Sequence, residues 1–213
     1  MFPVKDDIPT DRPPLVTYAL LLANVVVFLA VGGDAVARHG LVPADPTVRD
    51  ALSSMFLHTG LLHLVGNLLF LWWFGPNVED ALGRGRFLAF YVVGGLVAAG
   101  AQVAIDPSST APLVGASGAI AAVMGAYLRL YPWARVLTLV CCLFFFTVIA
   151  IPVTVLLAGW IALQVGFALL DPGSVAYAAH LAGFAFGLLT AGFVATHVKT
   201  PESLLRRGRA AWQ

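Results

Sequence analysis

Six long apolar segments, separated by short polar stretches, constrain the fold of this chain more than any other feature. A helix that crosses a lipid bilayer needs ~17–25 mostly apolar residues. Hydrophobic residues make up 60% of the chain and charged residues only 11%, whereas soluble domains have about 25% charged residues. The sequence therefore predicts an all-α membrane protein, a bundle of six transmembrane helices at 15–31, 59–74, 87–105, 115–131, 153–170 and 177–197.

The first apolar segment has one alternative interpretation, a signal peptide, because Lys5 and Arg12 precede it. However, aspartates dilute this basic flank, Asn24 interrupts the apolar run, and no small-residue cleavage site is evident. We therefore interpret 15–31 as a membrane span.

Basic residues indicate the orientation of the bundle, because cytoplasmic loops carry an excess of Lys and Arg. With the N-terminus inside, only Arg38 and Arg49 lie outside. The other ten lie on the cytoplasmic side: Lys5, Arg12, Arg84, Arg86, Arg129, Arg135, Lys199, Arg206, Arg207 and Arg209. We predict a multi-pass protein of a bacterial cytoplasmic membrane with both termini inside. Its parts are a short tail at 1–14, the membrane domain at 15–198 and a basic tail at 199–213.

The stretch 136–170 has no charged residue and is long enough in principle to cross twice. Its one break is Pro152, and a single proline cannot turn the chain between antiparallel helices. A seventh span would also move the basic tail outside. We therefore place 136–151 at the inner interface, as a dipping or surface segment, and make no prediction of its secondary structure.

Polar residues in three of the spans converge on one depth. His63 and Asn67 lie near the start of the second span, Ser117 near the start of the fourth, and His180 near the start of the sixth. These three spans run in the same direction, from outside to inside. The four side chains should therefore meet a few residues below the outer surface. Together they would supply a nucleophile, a base and hydrogen-bond donors, which are the parts of a serine hydrolase.

Two helix faces of small residues should bring the serine and the histidine together. Ser117 shares one face with Ala121 and Gly125, and His180 shares another with Gly183 and Gly187. Small residues allow membrane helices to approach closely. We expect Ser117 and His180 to lie within hydrogen-bonding reach.

Taken together, these motifs resemble the rhomboid intramembrane serine proteases. The resemblance rests on Gly115-Ala116-Ser117-Gly118, on the spacing of His58, His63 and Asn67, and on His180-x2-Gly183-x3-Gly187. It extends to Glu79-Asp80 and Gly83-x2-Arg86-Phe87. Each motif alone is weak, but three in this order on these spans are specific.

The resemblance implies a role for each site residue. Ser117 would be the nucleophile of a Ser–His dyad and His180 its general base. His63, Asn67 and the backbone N–H of Ser117 would form the oxyanion hole, with Gly115, Ala116 and Gly118 shaping the backbone around it. His63 and Asn67 are four residues apart, so they share a helix face and can point at one oxyanion.

Other polar residues receive structural interpretations. His58 is about 140° around the helix from His63, so we interpret it as a structural histidine that bonds loop backbone. No aspartate is placed to orient His180, which leaves a dyad as the simplest arrangement. Asn24, Gln102 and Gln164 are interpreted as packing residues. Where many rhomboids have an aromatic residue that packs on the catalytic histidine, this chain has Ala121, and we look to span six for a replacement.

The predicted function is intramembrane endopeptidase activity towards single-pass or multi-pass membrane proteins. The resemblance further implies lateral entry past span five and the loop at 171–178. The partners are these substrates and the lipid bilayer, and no metal or cofactor is implied. A net charge of +1 gives no reason to expect nucleic acid. Two alternatives remain open: an inactive rhomboid-like protein that binds membrane proteins, and a small transporter.

Overall fold

A computed structural model describes residues 2–32, 34–142, 145–170 and 176–202. Most of the chain is helical, with three strands besides. In chain order the elements are β1 (Phe2–Asp6), α1 (Leu15–Ala30), α2 (Asp34–His39), α3 (Val48–Ser54), α4 (Leu61–Leu82), α5 (Arg84–Ile105), α6 (Ser117–Leu130), β2 (Arg135–Cys142), β3 (Phe145–Pro152), α7 (Val153–Leu170) and α8 (Tyr177–Val194).

Every predicted span contains a helix, but the helices differ in length. Helices α4, α5, α7 and α8 are long and apolar enough to cross a membrane. Helices α1 and α6 are apolar but have only 16 and 14 residues, or about 24 and 21 Å at ~1.5 Å per residue. The chain is thus an integral membrane protein of mostly helical structure.

The prediction of an all-α bundle of six helices holds only in part: most of the structure is helical, but it has eight helices in the described residues and a three-stranded antiparallel sheet in the order β1-β2-β3. Strands β2 and β3 form a hairpin from the Arg135↔Pro152 pair to the Cys142↔Phe145 pair, and β1 adds to β2. The hairpin covers the stretch that the sequence left without secondary structure. Its many β-branched and aromatic residues favour strands, and pairing between the strands satisfies their backbone N–H and C=O groups.

The second predicted span ends too early, since α4 continues past residue 74 to Leu82. The prediction stopped before Glu79 and Asp80, which are nearly fully buried. Glu79 accepts hydrogen bonds from the backbone N–H groups of Val16 and Thr17, at 3.0 and 2.7 Å, and from the Thr17 hydroxyl at 2.8 Å. A carboxylate at the first turn of a helix satisfies N–H groups that have no partner within the helix. Glu79 therefore anchors α1 to α4.

The carboxylate of Asp80 is likewise paired inside the fold. It accepts from the backbone N–H of Asp11 at 2.9 Å and pairs with Lys199. Lys199, the first residue of the predicted basic tail, is only 2% exposed and donates to the Pro9 carbonyl at 2.7 Å. These bonds join the N-terminal segment, α4 and the chain after α8. The predicted tail residues Arg206, Arg207 and Arg209 lie outside the described residues.

Helix α6 forms the centre of the bundle, and residues 119–127 are all buried. Helix α8 packs against it at very short range because both helices carry glycines at the contact. A Cβ on Gly125 would overlap the carbonyl oxygen of Phe184, and one on Gly187 would overlap that of Ala122. Close helix contact of this kind replaces the hydrophobic driving force that lipid removes.

We expect Gly187→Ala to destabilise the protein by about 1–3 kcal/mol, because the added methyl group has no space and forces the helices apart. The matched control is Gly192→Ala on the same helix, where an added Cβ meets only the Arg129 side chain at 3.4 Å. Thermal unfolding in detergent measures both variants. Equal midpoints for Gly187→Ala and the wild type would contradict this account of the α6–α8 contact.

Strand β1 brings a carboxyl group against the bundle. Asp6 accepts hydrogen bonds from the Tyr127 hydroxyl and from the Asn77 amide, both at 2.6 Å. Burial raises the pKa of Asp6 from 3.8 to about 6, and the charge of Asp7 adds to this, although the two hydrogen bonds oppose it. Protonated Asp6 therefore stabilises the folded state relative to the unfolded chain.

This stabilisation is fully present below pH 3.8 and is lost as the pH rises through about 6. We expect the unfolding midpoint of the wild type to fall between pH 5 and pH 7 by more than that of Asp6→Asn, whose side chain does not titrate. Thermal unfolding of the two proteins across this range is the measurement. Parallel curves would show that Asp6 does not titrate in the folded state as its burial implies.

Candidate active site

Ser117 is the first residue of α6, and the backbone before it has a conformation that requires glycine. Gly115 has φ of 122°, a value that residues with a Cβ rarely adopt. A Cβ there would also lie 2.7 Å from Nε2 of His63. The N–H of Gly115 bonds the carbonyl of Ser54 at 2.8 Å, and Ala116 is completely buried. This turn fixes Ser117 at the entrance of the helix, beside His63.

His180 lies in the first turn of α8, directly opposite Ser117. The Ser117 Oγ and the His180 Nε2 are 2.7 Å apart, a short hydrogen bond. Glycines make this approach possible: a Cβ on Gly183 would overlap the carbonyl oxygen of Gly118, and one on Gly118 would lie 2.6 Å from the Ala98 Cβ. The small-residue faces of α6 and α8 are thus in contact where the serine and the histidine meet.

The second nitrogen of His180 has a partner that the sequence analysis missed. Its Nδ1 lies 2.7 Å from Oε1 of Gln164 on α7, which we had interpreted as a packing residue. Trp160, one turn earlier on α7, places its ring 6.0 Å from the His180 ring. The aromatic neighbour of His180 therefore comes from span five and not from span six, since position 121 is alanine. The available signal was a tryptophan and a glutamine at i and i+4 in an otherwise apolar helix.

His63 and Asn67 lie on one face of α4, close to the same point. His63 Nδ1 lies 3.2 Å from the Thr59 hydroxyl, and its Nε2 faces Gly115. The Asn67 amide donates to the carbonyl of His63 at 3.0 Å. One such bond uses one of the two N–H groups of the amide, so a second N–H remains for a ligand.

The four polar side chains line one cavity of about 530 Å³. Ser117, His180, His63 and Asn67 contribute to its wall, and apolar residues of α4, α5, α6 and α7 form much of the remainder. No Asp or Glu of the described residues lines it. In the same part of the chain, no group of three His, Cys, Asp or Glu side chains is arranged to hold a metal ion. The absence of a metal or cofactor from the reaction stays a prediction.

His58 does not line this cavity. Its ring packs edge-on against that of His63, with centroids 5.0 Å apart, and only 7% of the residue is exposed. Burial lowers the pKa of His58 to about 4, and the neighbouring His63 contributes further, so the ring is neutral at physiological pH. The loop backbone at Phe56 acts on the ring and opposes this lowering of the pKa, but neither buried ring nitrogen has a hydrogen-bond partner among the described residues, so the predicted bond to loop backbone is not formed at hydrogen-bonding distance.

Comparisons with known proteins identify the family. The model of the Rhomboid domain matches residues 46–197. The chain is 29% identical to Rhomboid protein 1, mitochondrial, from Saccharomyces cerevisiae, in a match that covers 94% of this chain and 59% of that protein. It is 32% identical to Rhomboid protease GlpG from Salmonella typhi, over 59% of this chain and 45% of that protein. The chain thus spans about half the length of these curated relatives.

The chain belongs to the rhomboid family. This confirms the family resemblance that the sequence motifs indicated. Two Salmonella relatives that are 32% identical to this chain are named rhomboid proteases.

Proposed function

We propose that this chain is an intramembrane serine endopeptidase that uses Ser117 and His180 as a catalytic dyad. The observation that carries the proposal is the 2.7 Å hydrogen bond between the Ser117 hydroxyl and His180 Nε2. This bond lies in a cavity between apolar helices of a rhomboid-family chain. A serine in contact with a neutral imidazole is the arrangement that activates a hydroxyl for nucleophilic attack.

The proposed reaction has two steps. His180 Nε2 takes the proton of Ser117 as the hydroxyl oxygen attacks a peptide carbonyl, and the same proton passes to the leaving amine as the peptide bond breaks. Water then attacks the acyl-enzyme and gives up a proton to His180, which passes it to the Ser117 oxygen as the ester bond breaks and the acid product leaves. No redox step or cofactor is needed for this sequence.

The oxyanion hole of this proposal consists of three donors. His63 and Asn67 approach from α4, and the backbone N–H of Ser117 lies at the start of α6, where N–H groups have no partner within the helix. Gly115, Ala116 and Gly118 keep this backbone accessible by adding little bulk. Donors that are already in place stabilise charge as it develops in the transition state.

The substrates of this proposal are transmembrane helices of single-pass or multi-pass proteins. A helical peptide bond is shielded from attack, so the substrate must unwind locally. Gly, Pro or polar residues near its outer end favour this. By analogy with the family, entry is lateral, past α7 and the loop at 171–178, of which 171–175 lie outside the described residues. A small residue such as Ala would precede the cleaved bond.

We also propose that α1 and α6 cross the membrane with the four longer helices, and that both termini lie on the cytoplasmic side. The excess of basic residues on that side supports this orientation. A bacterial location stays a prediction, since the relatives include both mitochondrial and bacterial proteins.

Ser117→Ala and His180→Ala should each abolish cleavage of a transmembrane substrate, and the double variant should be no worse, because dyad members act as a unit. A fluorophosphonate probe should label the wild type but not Ser117→Ala. The control Ser53→Ala removes a hydroxyl that bonds the His39 carbonyl at 2.7 Å, outside the cavity, and should keep full labelling. A wild type that neither labels nor cleaves would favour an inactive binding protein or a transporter.

Asn67→Ala should lower kcat by on the order of 10²–10³, the cost of losing one oxyanion donor, and should still react slowly with the probe. Asn24→Ala is a matched control, because Asn24 is a buried amide on α1 that bonds the Leu20 carbonyl at 2.7 Å in the same i−4 manner. Its loss should affect thermal stability and leave kcat unchanged. If Asn67→Ala behaved like Asn24→Ala, Asn67 would be a packing residue and not part of the oxyanion hole.

A further inference from the structure

Helix α7 places two side chains on the histidine of the proposed dyad. Gln164 reaches Nδ1 of His180, at 2.7 Å. Trp160, four residues earlier and on the same face, lies with its ring 6.0 Å from both the His180 ring and the Phe184 ring. The imidazole is therefore held between α7 and α8, on the side away from Ser117.

The bond to Gln164 determines which nitrogen of His180 carries the proton. An amide oxygen only accepts, so Oε1 of Gln164 requires a proton on Nδ1 of a neutral imidazole. Nε2 then has a free lone pair and accepts from the Ser117 hydroxyl. If the amide presented its NH₂ group instead, the proton would sit on Nε2, which could not then serve as a base.

We propose that Gln164 is a positioning residue for catalysis, which holds His180 in the tautomer and orientation that accept the proton of Ser117. This inference rests on the proposed function. Gln164 takes the place that an aspartate occupies in a Ser-His-Asp triad, but it does so without a charge, behind a cavity that no carboxylate of the described residues lines.

The bond should act mainly in the transition state. When Nε2 takes the proton from Ser117, the imidazole becomes a cation while Nδ1 keeps its own proton and its bond to Gln164. Hydrogen bonds from charged groups are about twice as strong as those between neutral groups. The bond therefore strengthens as the reaction proceeds, so its loss should lower kcat and leave KM unchanged.

The test compares two variants of Gln164 in the full chain. Gln164→Leu has similar size but no acceptor, and we expect it to lower kcat and the rate of fluorophosphonate labelling by about tenfold or more. Gln164→Glu keeps an acceptor oxygen at the same distance, whether ionised or protonated, and should recover most of the lost rate. The matched control is Gln102→Leu, the identical substitution at a glutamine of α5 that does not line the cavity; it should retain wild-type kcat.

The outcomes separate this inference from the proposed function. If Gln164 had a purely structural role, Gln164→Leu and Gln164→Glu would both lower the thermal unfolding midpoint and neither would change kcat. An active wild type with Gln164→Leu at the same kcat would overturn the positioning role and leave the protease proposal intact. A wild type without cleavage or labelling would instead overturn the protease proposal itself.

Discussion

The close contact between α6 and α8 is the constraint on which the rest of the structure depends. Ser117 and His180 are far apart in the chain, and each lies in the first turn of its helix. Their 2.7 Å hydrogen bond exists only because glycine backbones touch below it, with Gly183 against the Gly118 carbonyl and Gly187 against the Ala122 carbonyl. Since lipid offers no hydrophobic gain for joining two apolar helices, this packing must stabilise the pair by itself. The geometry of the site is thus inseparable from the packing of the bundle centre.

The membrane-spanning helices could be predicted because hydropathy is a local property of sequence. The limits of this approach are visible at α4 and at β2–β3. Charged Glu79 and Asp80 suggested the end of a span, but distant partners, the first turn of α1 and Lys199, satisfy them inside the fold. The hairpin at 135–152 pairs mainly with itself and with β1, and an uncharged run without clear periodicity does not distinguish strand from helix. In both places the structure depends on pairing with other segments of the chain, which local hydropathy does not show.

At the candidate site, the sequence predicted the residues that carry a spacing signal. His63 and Asn67 are one helical turn apart, and glycines flank Ser117 in Gly115-Ala116-Ser117-Gly118; in the structure Gly115 has a positive φ. Gln164 and Trp160 have the same four-residue spacing, but no motif of the family resemblance includes them. Their role depends on which face of α7 is turned towards α8, and an apolar helix that faces lipid over most of its surface gives little indication of its rotation. A lone glutamine in such a helix is the feature to examine first, since a polar side chain there needs a partner.

The helices are anchored to different degrees, which affects how firmly His180, the proposed base, is held. Glu79 ties α1 to α4, and Asp80 with Lys199 ties α4 to the end of the chain. Helix α7 is held at its start, where Val153 and Leu157 are fully buried and the Val153 N–H bonds the Ala134 carbonyl at 2.9 Å. Over its whole length it is the least buried of the long apolar helices, with 11% of its residues buried against 33–39% for the others, and no residue after Leu157 is buried. Gln164 and Trp160 lie on this weakly packed part, so a displacement of α7 about its start would withdraw both from His180 before it disturbed the glycine contacts between α6 and α8.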